Sequence, residues 1–408
     1  MSVNEKAVIF NIGKSYLTSE NGKTLLNAEV KAENDLFTLW YRIDDEFKQY
    51  LVTERCDPFV VALLPWVMLK AKKMQKEIVL KCENKISARL WHQLTVYYIP
   101  TLSRLMSYFG FIRLEAETDG SQLPYVNGGR ITGGSVSGGL DSFYTIVKYK
   151  DYPVKEYLLT HVMYCNFGLY GGLEGDSELA LYAKTRQIAQ ETGLKYVHPS
   201  TNVIALLYGG MGHGVIVAAA LTSVVLSLQK LFAVYHFSSA LPIWDFKMSE
   251  AGAFYYELFN LYCLSTENTN FLLSGLELLR IEKAAYIADN PAAQNYLLPC
   301  VPQENGVNCN VCAQCTRTMA ALEVLGKLDL FGKVFNVEEF RNNEGYHWGY
   351  LLMKSKAGDL FAKEIVDLYL EKNGQFPENV EKAAHAKWVE RGNTASNTKF
   401  VKIEDIIR

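Results

Sequence analysis

Ser137-Gly138-Gly139-Leu140-Asp141-Ser142 gathers two hydroxyls, two adjacent glycines and a carboxylate into six residues. A β-branched, glycine-rich approach leads into it, and Phe143 to Tyr149 reads as a helix. Consecutive glycines let the backbone turn tightly and come close to an anion. The helix N-terminus behind them offers free N–H groups and the positive end of a dipole, so the chemistry of the unit is phosphate binding. No Gly-Lys-[Ser/Thr] follows, which excludes a Walker A loop. The competing reading is an ordinary Gly/Ser turn with Asp141 near the dipole. A second set, Cys300, Cys309, Cys312 and Cys315, has the spacing C-x8-C-x2-C-x2-C. Thiolates two residues apart can wrap one ion, and a fourth completes the tetrahedron that Zn2+ accepts. Four soft ligands without an open position argue for a structural site. A [4Fe–4S] cluster uses the same four thiolates, and redox-active or unpaired thiols are the third reading.

Other residues could join this chemistry. Arg280 and Lys283 are three apart and share a face if their segment is helical. They would then hold pyrophosphate or a substrate carboxylate; otherwise they are a solvated pair with Glu277 or Glu282. His213 lies between two glycines at a helix start, where it either donates to a phosphate and acts as a general acid/base or serves as a cap or core residue. Asn166 and Asn202, at strand ends, are candidate adenosine contacts. Cys165 ends a strand on the same rim, and Cys56, Cys82 and Cys263 read as small buried hydrophobes.

Several elements must position these groups. Strand-like runs occupy Lys6 to Ile12, Leu25 to Ala32 and Leu36 to Ile43, with the hairpin signal Glu20-Asn21-Gly22-Lys23. Helices are predicted over Val60 to Lys72 and Ile86 to Tyr108, with a strand at Ile78 to Cys82, and turn residues near 117–130 read as a linker. From 130 to about 290, strands at Gly134–Ser137, Tyr157–Cys165, Leu194–Thr201, Leu231–Phe237 and Asn270–Ser274 alternate with helices at Ser142–Lys150, Asp176–Thr192, Gly214–Lys230 and Ala251–Asn260. This alternation predicts an α/β fold, a parallel sheet with helices on both faces, with ligands beyond the carboxyl ends of the strands. The Ser137 loop, Asn166, Asn202 and Ser274-Gly275 then share one rim. A small α+β N-terminal domain over 1–125 would serve as a platform for a partner or substrate. A domain with the zinc-binding loop at 300–315 would span 126–325, and a helical C-terminal appendage 326–408.

The two motifs together resemble the PP-loop ATP pyrophosphatase superfamily, and within it the 7-cyano-7-deazaguanine synthase (QueC) family. The layout is nearest to long QueC-like proteins of biosynthetic and anti-phage operons. The resemblance covers Thr132 to Leu325, a little under half of the chain. It implies that ATP is cleaved to AMP and pyrophosphate while a carboxylate or amide oxygen is adenylated for attack by ammonia or an amine. Ser137, Gly138, Gly139, Leu140, Asp141 and Ser142 would form the ATP loop, with Asp141 holding Mg2+ and the loop N–H groups stabilising the leaving pyrophosphate. Asn166, Gly275 and Arg317 would add contacts, Lys283 sits where the family places a lysine, and the four cysteines would bind zinc. A deazapurine-like small molecule is the implied substrate, with a protein or peptide amine as a further acceptor. The first 125 residues and Tyr208 to Gly214 depart from the family's pattern. A thiolation enzyme and a non-catalytic ATP-binding scaffold are the alternatives.

The chain of 408 residues is 49% hydrophobic and 21% charged, with a net charge of −3, which describes a globular protein without a nucleic-acid footprint. The start shows no signal peptide pattern. The most apolar stretch, Val215 to Leu228, is short for a membrane span. A cytoplasmic protein, a homodimer being compatible with it, is the expectation.

Overall fold

The structure, a computed structural model, describes residues 7–33, 35–126, 130–207, 213–300 and 306–393. The amino-terminal part contributes β1 (Val8–Ile12), β2 (Tyr16–Glu20), β3 (Lys23–Ala32), β4 (Asp35–Asp44), β5 (Ile78–Cys82), β6 (Ile86–Ser87), β7 (Ile112–Glu115) and β8 (Thr118–Asp119). β2 and β3 form the expected hairpin around Asn21-Gly22, and β3 pairs antiparallel with β4 along its whole length. β1 pairs antiparallel with β3 and parallel with β5, which pairs parallel with β7. The helix Asp57–Met74 buries its apolar residues against this mixed sheet.

The second half contributes β9 (Ile131–Ser135), β10 (His161–Met163), β11 (Lys195–Val197), β12 (Ser200–Thr201), β13 (Phe232–Ser238) and β14 (Asn270–Ser274). Five of these form a parallel sheet in the order β11-β10-β9-β13-β14. β13 is apolar and buried at nearly every position, as a strand covered on both faces must be. The α/β architecture is therefore as expected, with the amino-terminal sheet mixed.

The predicted strand Tyr157–Cys165 shortens to β10, and the predicted helix Ala251–Asn260 is a 3-10 turn at Ala253–Tyr256 that becomes α-helical over Glu257–Leu264. Two further elements are divided. The predicted strand Leu194–Thr201 is two strands in two sheets: β11 joins the parallel sheet, whereas β12 pairs antiparallel with β4, Ser200 opposite Arg42. Pro199 lies between them and has no N–H to continue a ladder. Asn202 seals the junction, accepting from the Trp40 N–H at 3.0 Å and donating to the Thr38 carbonyl at 2.8 Å. The predicted helix Ile86–Tyr108 is likewise broken into Ala88–Gln93, a π-helical turn at Leu94–Tyr98, and Ile99–Leu105. Pro100 lacks the donor that an α-helix would aim at Val96, and its ring crowds that carbonyl, so the preceding turn widens.

The apolar core does not divide at 125/126 or 325/326. One cluster joins the mixed sheet, the helix Asp57–Met74, the helix His213–Ser227 and one face of the parallel sheet. The other joins the opposite face to the helices after the glycine loop, the cysteine segment and the C-terminal helices. A buried polar network crosses the first junction. Arg55 is fully buried and pairs with Asp119 at 3.2 Å and Glu267 at 3.5 Å. Asp57 accepts from the Ser87 N–H at 2.8 Å and from Gln229 at 2.9 Å, and burial pushes its carboxyl up to about 6. Among the described residues, no helix is long and apolar enough to cross a membrane.

Candidate functional site

β9 is the first strand of the parallel sheet, and the chain leaves it first toward β10 and then toward β13 on its other side. The crevice at its carboxyl end is the switch point at which such sheets bind ligands. The loop Val136–Gly139 lies there, followed by the helix Leu140–Tyr149. The hydroxyls shape it: Ser142 Oγ accepts the Ser137 N–H at 3.1 Å and donates to the Ser135 carbonyl at 3.2 Å, while Ser137 Oγ accepts the Gly139 N–H at 3.2 Å. Gly138 has φ +78°, and a Cβ there would approach Leu298 Cβ to 3.2 Å. Its carbonyl accepts the Leu298 N–H at 2.7 Å. Among the described residues no side chain caps the helix, which leaves its first N–H groups open to an external acceptor.

Asp141 stands on the first turn of that helix. Its Oδ2 lies 3.2 Å from Arg280 Nη2 and its Oδ1 3.8 Å from Lys283 Nζ. Among the described residues, the buried Oδ1 has no hydrogen bond. Arg280 and Lys283 do share a helix, Arg280–Ile287. The two neighbouring acids are engaged elsewhere: Glu277 with Lys148 and Tyr144, Glu282 with the Leu279 N–H. Lys283 is fully buried and donates to the Ser239 carbonyl at 2.6 Å. Burial lowers its pKa, and the Asp141 charge opposes that shift. Gly275, at φ +84°, is what lets the lysine lie there, because a Cβ would sit 2.8 Å from Lys283 Cε and 3.2 Å from the Tyr144 ring.

The C-terminal helices reach the same spot, a contribution that sequence reasoning missed. Phe361, on the helix Leu360–Asn373, lies 5.4 Å from the Arg280 guanidinium and 5.1 Å from that of Arg317. The Nε atoms of both arginines are buried without an acceptor among the described residues. Burial and the like charge of Arg280 lower the pKa of Arg317. Glu364 accepts the Arg280 N–H at 2.9 Å, and burial pushes its carboxyl up to about 7. Burial, with the Asp141 charge adding to it, pushes Glu257 up to about 8. Arg280, Lys283 and Arg317 thus gather around Asp141, with Glu364 and Glu257 beside them held protonated up to near neutrality. The surplus positive charge at an uncapped helix start suits a polyanion.

Not every predicted residue joins this cluster. Asn166 accepts the Gly168 N–H at 2.8 Å and donates to the Leu173 carbonyl at 2.8 Å, so its amide shapes its own loop. Asn202 is spent on the strand junction. His213 opens the helix His213–Ser227, but its side chain and residues 208–212 lie outside the described residues. Cys165 is buried, and burial raises its thiol pKa, the reverse of nucleophile activation. Phe361, Glu364 and Glu257 carried no motif, since an apolar or acidic residue on a helix is ordinary until its neighbours are known.

The four cysteines converge. Their sulfurs all lie within 4.8 Å of one another, with Cys309–Cys315 at 4.0 Å and Cys300–Cys312 at 3.7 Å. A tetrahedral ion with metal–sulfur bonds of about 2.3 Å needs edges of about 3.8 Å, so the set fits a single metal ion. The Cys312 N–H donates to Cys309 Sγ at 3.3 Å and the Cys315 N–H to Cys312 Sγ at 3.4 Å, which favours thiolates. Cys312 also caps the helix Ala313–Val324, which carries Arg317. Cys300 follows Leu298, the residue bonded to Gly138, by two positions. The cysteine cluster therefore anchors two parts of the rim.

Searches of family models, curated proteins and solved structures found no match to this chain.

Proposed function

We propose that the chain is an ATP-dependent, AMP-forming synthetase of the PP-loop type, QueC-like in layout. The observation that carries the reading is Asp141 between Arg280 and Lys283, beside an uncapped helix start at the switch point of a parallel sheet. The triphosphate would lie along the Ser137–Ser142 loop. A substrate oxygen attacks the α-phosphorus, the bond to the β-phosphate oxygen breaks, and pyrophosphate leaves. The loop N–H groups, Arg280, Lys283 and Arg317 take up the charge that develops on it. Ammonia or an amine then attacks the carbon that bears the adenylated oxygen; the C–N bond forms, the C–O bond to AMP breaks, and the nitrogen gives up a proton to solvent.

The donor set also bears on metals. Asp141, with one unsatisfied buried oxygen, would hold Mg2+, which supplies charge neutralisation to the phosphates when bound. The four cysteines would hold Zn2+ as a closed, structural site. A 7-deazaguanine-type carboxylate is the favoured substrate on the motif resemblance, and a protein amine is a further acceptor. Thiolation is less well supported, because four cysteines are gathered in one cluster and Cys165 is buried as a thiol.

The test is incubation with radiolabelled ATP, Mg2+ and 7-carboxy-7-deazaguanine, with and without ammonium, resolving AMP from ADP. Substrate-dependent AMP and pyrophosphate are expected, and the product mass separates an amide, a nitrile and a protein adduct. ADP as product overturns the reading. ATP binding without any turnover, across carboxylate substrates, would leave a scaffold in its place.

A further inference from the structure

At the amino-terminal ends of β9, β13 and β14, a cavity of about 580 Å³ opens between the helix Ala88–Gln93, the helix Glu257–Leu264 and the parallel sheet. Its volume is that of a small-molecule site, and it lies where the two halves of the molecule meet, a common place for one. Leu272, the last β14 residue on its lining, precedes Gly275 by three positions, about 10 Å along the strand, and no residue of the Asp141 cluster lines it. Its walls leave apolar surface open to water: Tyr157 is 41%, Leu258 38% and Tyr262 55% exposed. The π-helical turn sets Tyr97 at 6.2 Å from the Tyr262 ring and lengthens this aromatic wall.

Two arginines line the same space, each fixed by neutral groups. Arg89 Nη1 donates to the Thr266 carbonyl at 3.0 Å and to Asn270 Oδ1 at 2.8 Å. The Arg130 guanidinium lies 5.9 Å from the ring of Tyr125, whose hydroxyl donates to the Asn268 carbonyl at 2.5 Å. Among the described residues neither forms an ion pair, and Glu156, the one acid on the lining, forms none either. Arg55, in the neighbouring network, is matched by two carboxylates. Guanidiniums held by carbonyl, amide and ring keep their charge for a ligand, and their planar fork suits a carboxylate or phosphate.

We infer that this cavity is a second ligand site, for a flat aromatic anion. The phosphate or carboxylate of the ligand sits between Arg89 and Arg130, and its ring lies against Tyr157 and Tyr262. The inference does not rest on the proposed synthetase activity.

Titration of the full chain with anilinonaphthalenesulfonate, followed by fluorescence, tests it. We expect one saturable site per chain. Arg130→Gln, at an exposed position, and Arg89→Lys, which keeps the charge but loses the fork, should each weaken binding about tenfold, the scale of one charge-assisted contact. Asp141→Asn should bind as the unaltered protein does. Displacement by AMP but not adenosine identifies a phosphate ligand, and displacement by naphthoate a carboxylate. Undiminished binding in Arg130→Gln, or no displacement by either anion, overturns the inference.

Discussion

The cysteine cluster and the Asp141 cluster lie on the same side of the parallel sheet, yet they are built on opposite principles. The cysteine set is closed: four sulfurs face one point, two of them accept backbone N–H groups, and Asn308 fastens the loop to Leu297 and Val334 at 2.9 and 3.0 Å. The Asp141 set is unfinished. It holds a buried lysine, two arginines with unpaired Nε atoms and a carboxylate oxygen without a donor. Buried charge without matching partners costs stability, so a fold retains such an arrangement where it serves a ligand. On the proposed reading the first region would hold the architecture together and the second would use that rigidity to bind its ligand.

The largest effect should come from breaking the closed region. The double substitution Cys309→Ser with Cys312→Ser removes two of the four thiolates proposed to hold zinc, and structural zinc sites supply on the order of 10 kcal/mol of folding free energy. The expected result is loss of protease resistance across 306–393, together with the proposed activity, since Leu298 and Arg317 lie beside the cluster. An unchanged melting temperature in the double variant would contradict the closed reading.

Lys283→Met should do the reverse. Turnover should fall about 100-fold or more, because a charge aimed at the leaving group is gone. Stability should hold to within about 1 kcal/mol or rise, since a buried cation is replaced by an apolar chain of similar volume. A thermal melt beside an AMP assay distinguishes this from general unfolding, which would lower both.

Gly275→Ala tests the packing that positions the lysine. The added methyl meets Lys283 Cε at 2.8 Å in a left-handed backbone conformation. A stability loss of about 1–3 kcal/mol is expected, with turnover reduced about tenfold as Lys283 shifts. Normal kinetics in a destabilised variant would show that the lysine's position is not critical.

The smallest effect concerns Glu364. Its carboxyl is raised from 4.5 to about 7, so between those values the folded chain holds a proton that the unfolded chain releases. This contribution to stability is present below pH 4.5 and is lost as pH rises through 7. Above pH 7 the new charge beside Arg280 should also weaken ATP binding. Glu364→Gln should flatten both slopes, as read from urea melts and from KM for ATP against pH; an unchanged pH dependence of KM would remove Glu364 from the site.

Much of the fold was legible because it is local. Asn21-Gly22 has the turn chemistry of a hairpin, Ile78–Cys82 and Asn270–Ser274 are short apolar runs between breakers, and Asp176–Thr192 ends at Gly193 in a left-handed cap. The candidate site was legible only where spacing carried meaning: the glycine loop, the cysteine set, and Arg280 with Lys283. Asn166 and Asn202 illustrate the limit. Their position at strand ends was readable, but whether the amide faced a ligand or the backbone depended on which loop or strand lay opposite.

The sequence by itself determined the glycine loop, the thiolate set and the strand–helix alternation, since each is a matter of residue type at short range. Only the tertiary structure decided that β12 would cross into the amino-terminal sheet. It alone set Phe361 and Glu364, some 220 residues after Asp141, against the arginines beside it. Those contacts depend on how helices pack over a completed sheet, and packing is a property of the surfaces two distant segments happen to share. No pattern within either segment encodes it alone.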